Sequence, residues 1–447
     1  MIELSRLSNA WLCELTREYR VCGAQLAIQH HDEIVTAETG ELEYQAGRPV
    51  TSDSAFPIGS ITKAFTATLA MILVADGDAD LDMPLLGLLP ELGAIGSRLT
   101  PRRLLSHTAG LACDPDLTEL SPGSPSRYAA DICAERNLVQ QPGVGFSYSN
   151  LGYVLVGRMI EVITGMAWQD AMEAILLKPL GIESAFIHAA VPEALSRAVA
   201  VGHTVAMTPE RTRPVRQSLE PVEAPAGALA ASARDLLELG GLHLPPGSPW
   251  LLPPDYARLM RQPVAEADPI GLADGWGLGL ALFAGNGRTW VGHDGNADGT
   301  SCHLRIDPTG ERLVALTTNT STGMALWRRL CGVLIEAGVP LPDSSRVNVP
   351  TTPRPLSADC AGVYANGDAE YVVTGPDSYA DGRWSLTVDG ADFRLLPSGD
   401  DLTFALQDSS TRQRLPGGRF RRDSVSGRIT GVQVGGRVAR RLKAGGR

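Results

Sequence analysis

Phe56-Pro57-Ile58-Gly59-Ser60-Ile61-Thr62-Lys63 opens an apolar stretch that runs to Ala75 and reads as one buried helix, ended by Asp76-Gly77-Asp78. Ser60 and Lys63 stand three residues apart at its start, so both side chains share one helix face. The lysine is informative because the chain has so few. Of 39 basic residues only Lys63, Lys178 and Lys443 are lysines. With three lysines, a Ser-x-x-Lys is expected by chance about 0.2 times in such a chain. A guanidinium keeps its proton in a protein, whereas an ammonium can release it once desolvated or set beside another cation. Ser60 with Lys63 is therefore a nucleophile beside a possible base.

Outward from this helix, the pattern is that of an α+β domain. Residues 24–40 alternate as two strands around a turn at His31-Asp32-Glu33. Pro101 at a helix start and the segment Leu104–Leu111 predict a second helix. Helical periodicity then dominates to about residue 200, notably over Leu151–Thr164 and Trp168–Leu177. Short strands follow near 276–284, 289–293, 301–306 and 312–319. Strands at both ends of a region, with helices between them, imply a sheet that closes late in the sequence.

Pro340, Pro342, Pro350, Pro353 and Pro355 fall in one polar stretch that marks a domain boundary. Beyond it, Arg383–Val388 and Leu402–Leu406 alternate, with turn residues every 8–12 positions, as in a small antiparallel β-barrel or sandwich. The expected organisation is a catalytic domain over 1–340 with a helical subdomain at roughly 80–200, a linker over 341–356 and a small all-β domain over 357–447.

Composition narrows the function. The formal charge of −11 argues against a nucleic-acid binder, and no stretch approaches the ~20 apolar residues of a membrane span. Met1 to Arg20 has no apolar core, so no secretory signal is expected. The seven cysteines are scattered without a Cys-x-x-Cys, which suits small buried side chains in a reducing cytoplasm rather than a disulfide framework or zinc site. Asp294-x-Asn296-x-Asp298-Gly299 opens like a calcium loop, but its twelfth position is Arg305 rather than Glu. No metal and no cofactor are expected.

Two further motifs carry chemistry. In Phe146-Ser147-Tyr148-Ser149-Asn150-Leu151-Gly152, a phenol and an amide flank one residue just before a helix. A phenol can relay a proton, and an amide can hold both a lysine and a substrate carbonyl. In Val291-Gly292-His293-Asp294-Gly295-Asn296, a histidine lies on a strand followed by Gly, where a substrate backbone could approach.

Together, Ser60-x-x-Lys63, Tyr148-x-Asn150 and His293-x-Gly295 resemble the three motifs of the serine β-lactamase and penicillin-binding-protein superfamily, and in particular its class C β-lactamase-like branch. Leu104-Leu105-Ser106-His107-Thr108-Ala109-Gly110-Leu111, Pro225-Ala226-Gly227-Ala228-Leu229 and Gly275-Trp276-Gly277-Leu278-Gly279 look like further landmarks, and the resemblance covers residues 20–335. It implies that Ser60 is acylated, Lys63 accepts its proton, Tyr148 serves the incoming group, Asn150 positions Lys63 and the acyl carbonyl, and His293 supports the Tyr148 hydroxyl. The backbone N–H groups of Ser60 and Asn296 would form the oxyanion hole. Gly227 and Trp276 would line the substrate site. His293 stands where β-lactamases usually carry Lys, which weighs against β-lactamase activity.

Gly362-Val363-Tyr364 resembles the start of the lipocalin-like barrel that follows many class C-like hydrolases. Stand-alone penicillin-binding-protein-type thioesterases share that layout, and the stretch Thr39–Glu43 through Gly47–Thr51 also looks like theirs. The resemblance then implies a serine acyltransferase that takes a peptidyl thioester from a nonribosomal carrier protein and closes it head to tail, typically at a D-configured carboxy-terminal residue. Alternatives on the same motifs are a cytosolic esterase or D-amino-acid amidase, and a non-catalytic protein that uses the pocket for binding. From residue 409 onward, eleven basic residues face the single acid Asp423. Arg440 and Arg441 in that tail are candidates for docking an acidic carrier protein or a peptide carboxylate.

Overall fold

The computed structural model describes residues 9–115, 124–187, 197–207, 210–217, 219–342, 354–378 and 382–442. The chain forms two compact units, one from Met1–Leu81, Tyr153–Gln262 and Gly277–Asp343, the other from Asp82–Gly152, Pro263–Trp276 and Ser344–Arg447. Positions 343–353 of the Pro-rich stretch, 116–123 and 188–196 of the expected helical region, and 443–447 of the basic tail lie outside the described residues.

In the first unit, strands β1 (Gly23–His30), β2 (Glu33–Gly40), β3 (Ala281–Gly285), β4 (Arg288–Gly295), β5 (Ser301–Asp307) and β6 (Arg312–Thr318) lie side by side. Their order is β2-β1-β6-β5-β4-β3, with every neighbouring pair antiparallel. The N-terminal hairpin is thus joined by strands from the far end of the unit, as the late strands of the sequence imply. Side-chain alternation gives the sheet two buried faces. Val314 and Leu316 share one apolar core with Trp290 and with Trp327 and Leu330 of the helix Gly323–Glu336. Leu313 and Ile306 point the other way, toward Gly240 of the helix Ala233–Gly241, where an added Cβ would lie 2.9 Å from Leu313. That helix starts on a reciprocal cap: Ser232 Oγ accepts from the Asp235 N–H at 3.1 Å, and the Asp235 carboxylate accepts from the Ser232 N–H at 2.7 Å.

The expected helix after Gly59 divides into a 3-10 turn, Gly59–Ile61, and an α-helix, Thr62–Ala75, buried on nearly all sides. Trp168–Leu177 begins as α over Trp168–Ala171 and continues as a π-helical turn over Met172–Leu177. A hairpin of Gly202–Met207 with Glu210–Val215 was not expected. Its exposed Thr204, Arg211 and Arg213 give it no apolar alternation to read.

The second unit carries a closed antiparallel barrel of eight strands: β7 (Gly362–Asn366), β8 (Ala369–Thr374), β9 (Trp384–Val388), β10 (Ala391–Pro397), β11 (Thr403–Asp408), β12 (Arg414–Arg422), β13 (Ile429–Val434) and β14 (Arg437–Arg441). Each strand pairs with the next, and β14 returns to β7 through Tyr364 opposite Arg441. Tyr364, Trp384, Leu386, Phe404, Phe420 and Val432 form its core. This is the all-β, lipocalin-like domain of the sequence reading, in its barrel form. The expected helix over Leu104–Leu111 is shorter. It runs Pro101–Leu105, capped by Thr100 Oγ1 on the Arg103 N–H at 3.3 Å, and stops because His107 takes a left-handed φ of 55°.

Burial carries a pH consequence in the first unit. His243 is held down to about 3, by desolvation first and then by Arg261, and His293 to about 4, by desolvation and then Lys63. An unfolded histidine titrates near 6.5. Between that value and the folded one the unfolded chain binds the extra proton, so stability is full above about pH 6.5 and falls as the pH drops. His243→Leu should remove part of this slope: wild type should lose about 2 kcal/mol more than the variant between pH 6.5 and 5, read by chemical denaturation at each pH.

Candidate active site

The Lys63 side chain is fully buried. Its Nζ lies 3.0 Å from Ser60 Oγ, donates to Ala226 O at 2.7 Å and stands 5.8 Å from the Tyr153 ring centroid. Such burial is costly unless the donors find partners, and the partners are supplied by a segment far along the chain. Thr66 Oγ1 donates to Pro225 O at 2.8 Å, the Leu229 N–H donates to Thr62 Oγ1 at 3.1 Å, and the Ile58 N–H donates to Leu229 O at 3.1 Å. Phe56–Pro57 then pairs with Ala230–Ala231 as a two-stranded ladder. Residues 225–231 are thereby fastened along the Ser60 turn, and Ala226 O is aimed at Lys63 Nζ.

Ser60 is partly exposed in the turn that leads into the helix Thr62–Ala75, where the helix dipole and free N–H groups favour negative charge. Two glycines bring the end of β4 against this turn. Gly59 has φ +50°, and a Cβ on it would lie 2.8 Å from the backbone C and O of Asn296. A Cβ on Gly295 would collide with Ile58 O. Thr300 Oγ1 ties the same loop to Pro57 O at 2.9 Å. The main chain of Asn296 therefore borders the Ser60 turn.

His293 is buried on β4, and its Nδ1 lies 2.6 Å from Asp294 O. Desolvation, reinforced by the charge of Lys63, pushes it down to about 4, so it is neutral near physiological pH. Gly227 ends the short helix Ala224–Gly227 beside Ala226; a Cβ there would meet only Leu219 Cδ1, at 3.3 Å.

The second unit holds the other expected residues. The Tyr148 N–H donates to Gly436 O at 2.9 Å. Its ring lies 4.3 Å from that of His107 and 5.9 Å from that of Trp276, with the Arg437 guanidinium 5.4 Å away. Asn150 donates through Nδ2 to Asp114 Oδ1 at 2.6 Å, and its N–H donates to Cys113 O at 2.8 Å. Trp276, 2% exposed, is packed against Phe146 and His107. Arg440 is exposed, whereas Arg441 donates to Asp359 O and to Ala361 O, the latter at 2.6 Å. Other tail arginines are engaged as well: Arg419 pairs with Asp268, Arg422 with Asp359, and Arg421 with Gln140.

The structure thus gathers Ser60, Lys63, Gly227, His293 and Asn296 in one unit, and Tyr148, Asn150, Trp276, Arg440 and Arg441 in the other. Sequence reading missed Arg437, whose Nε lies 3.1 Å from Cys113 Sγ and whose charge faces the Tyr148 ring. It also missed the ion pair of Arg305 with Asp294. No local signal marks the first; for the second, the residue that spoils the calcium-loop pattern is itself the partner. Among the described residues no three His, Cys, Asp or Glu side chains converge as a metal site would need, and no single helix is long and apolar enough to cross a membrane.

Residues 9–330 match the β-lactamase family model. This chain belongs to the serine β-lactamase and penicillin-binding-protein superfamily. Members of the superfamily are serine hydrolases. Penicillin-binding protein 4 of Amycolatopsis lactamdurans is 35% identical over 368 residues, 78% of this chain and 94% of that one. Esterase EstB of Burkholderia gladioli is 29% identical, over 59% of this chain and 75% of its own. The crystal structure of SurE superposes with a TM-score of 0.85 at 41% identity, covering 97% of this chain and 98% of SurE; SurE with D-Leu gives 0.82.

Two substitutions check the site. Lys63→Met keeps the length and apolar stem of the side chain but has no nitrogen, so acylation of Ser60 by an activated ester should fall below detection in intact-protein mass spectrometry while the protein still melts cooperatively. Acylation at a rate comparable to wild type would remove Lys63 from the chemistry. Tyr148→Phe should slow turnover by roughly 10²–10⁴, the usual scale for a positioned acid or base; wild-type turnover would make Tyr148 a packing residue.

Proposed function

We propose that this protein is a serine acyltransferase that releases a peptidyl thioester by head-to-tail closure, with a D-configured residue at the acyl end. The reading is carried by the likeness to SurE, which extends through both units at 41% identity and includes a structure with D-Leu bound. A D-residue held by so similar a chain supports a D-configured acyl group here. The buried Lys63 beside Ser60 supports covalent acyl transfer.

In the proposed cycle Lys63 reacts as the neutral amine, the form that burial favours: Ser60 Oγ attacks the thioester carbonyl as Nζ takes its proton, and the oxyanion is met by the N–H groups of Ser60 and Asn296. Collapse breaks the C–S bond, and the thiolate leaves with a proton returned from the site. The peptide's own amine then attacks the ester, loses a proton through Tyr148, and expels Ser60 Oγ, which is reprotonated. Asn150 and His293 orient the groups that move protons. A nonribosomal carrier protein is the proposed donor, in the cytoplasm. The likeness to Esterase EstB favours a second reading, in which water replaces the amine and the product is the free acid.

The two readings separate in one assay. A linear peptide activated as a small thioester at a carboxy-terminal D-residue, with a free amino terminus, should yield mostly the product lighter by one water than the acid. The L-configured epimer should react at least about 100-fold more slowly, a ratio of some 3 kcal/mol. Hydrolysis alone, with either epimer, would favour the esterase reading.

A further inference from the structure

His293 has two ring nitrogens, and the geometry decides which carries the proton. Asp294 O is a carbonyl and can only accept, so the Nδ1 atom 2.6 Å from it must be the N–H. Burial keeps the ring neutral. Nε2 is then left with a lone pair. We propose that His293 works as a fixed hydrogen-bond acceptor, and that Asp294 and Arg305 are positioning residues that hold it in this tautomer.

The supporting arrangement lies on the opposite face of the sheet. Alternation along β4 turns the Asp294 side chain away from His293, toward the face that carries His303 and Arg305. There Arg305 grips the carboxylate with two donors, at 2.7 and 3.0 Å, and His303 Nδ1 adds a third contact at 2.8 Å. The fork is itself fixed. Its guanidinium lies 3.7 Å from the Phe283 ring centroid and donates to Leu304 O, while the His303 ring stacks on Trp327 at 4.7 Å and 3°. Arg305 is 5% exposed, and the ion pair holds the Asp294 carboxyl far below the usual range although desolvation opposes it. A bidentate pair of this kind fixes orientation as well as charge. With its side chain clamped behind the sheet and Gly295 pressed against Ile58, the Asp294 peptide has one available plane, and its carbonyl points at His293.

The consequence is a specificity rule, which rests on the acyl-transfer reading above. A lysine at this position would offer a cation to a carboxylate-bearing acyl donor and would repel an ammonium. A neutral acceptor does the reverse: it gives a carboxylate nothing to bind and can receive an N–H or O–H. His293 therefore favours acyl donors without a free carboxylate beside the reacting carbonyl, together with amine nucleophiles.

The tautomer is tested without any variant by long-range ¹H–¹⁵N correlation on histidine-labelled protein at pH 7, with His293→Gln used only to assign the ring. The expected pattern is a pyrrole-type Nδ1 and a pyridine-type Nε2. The reverse pattern, or a doubly protonated ring, overturns the proposal. Asp294→Asn should then move His293 toward a mixture of tautomers in protein that remains folded by its amide spectrum; an unchanged ring would remove Asp294 and Arg305 as its positioning pair. His293→Lys should raise the rate of Ser60 acylation by benzylpenicillin about tenfold or more and lower aminolysis of a neutral peptidyl thioester by a similar factor. Equal losses on both donors would overturn the specificity rule. If wild type hydrolyses thioesters and never closes them, the function reading fails while the tautomer result stands.

Discussion

The burial of Lys63 is the constraint around which the first unit is arranged. A lysine with no solvent exposure is destabilising unless its donors are met, and the effective cost of stranding such a charge is several kcal/mol. Ala226 O and Ser60 Oγ meet it. Holding Ala226 O in place requires the hydrogen bonds that link Thr66, Thr62 and Ile58 with residues 225–229. Holding the Ser60 turn in place requires Gly59 and Gly295, since side chains at either would force the turn and the end of β4 apart. Ser60, Lys63 and the main chain of Asn296 are thus one construction, and a change in any of them is felt by the others.

The second unit shows the same logic on Tyr148. Its N–H is fixed by Gly436 O, and its ring is enclosed by His107, Trp276 and the Arg437 guanidinium. Gly436 and Arg437 belong to the turn and strand at the end of the barrel. The barrel is therefore more than an appended domain: it holds the backbone of the second motif and sets a cation against its phenol. The barrel core is filled by Tyr364, Phe404, Phe420 and Trp384, which gives that turn a rigid base.

Much of this was readable along the chain, and the rest was not for identifiable reasons. The Ser-x-x-Lys spacing, the late strands and the all-β tail are local patterns, and local patterns survive in sequence. The short helix Pro101–Leu105 was overextended because Ser106 and His107 look helical until the left-handed φ of His107 is seen. The hairpin Gly202–Met207 with Glu210–Val215 lacks an apolar face. Ala226 O, Gly436 O and Asp294 O act through the main chain, which no residue name advertises. Arg437 meets Cys113 across 324 positions, and Arg305 meets Asp294 by cross-strand register; neither partnership has a motif.

Every proposed step passes through covalent chemistry at one atom, Ser60 Oγ. The most direct measurement is rapid quenching of wild-type protein mixed with a peptidyl thioester whose amino terminus is blocked, followed by proteolysis and mass spectrometry of the peptides. The acyl mass should appear on the peptide that contains Ser60, at a rate at least as fast as turnover. Acylation found on a cysteine or another serine, or steady turnover with no covalent species, would contradict it.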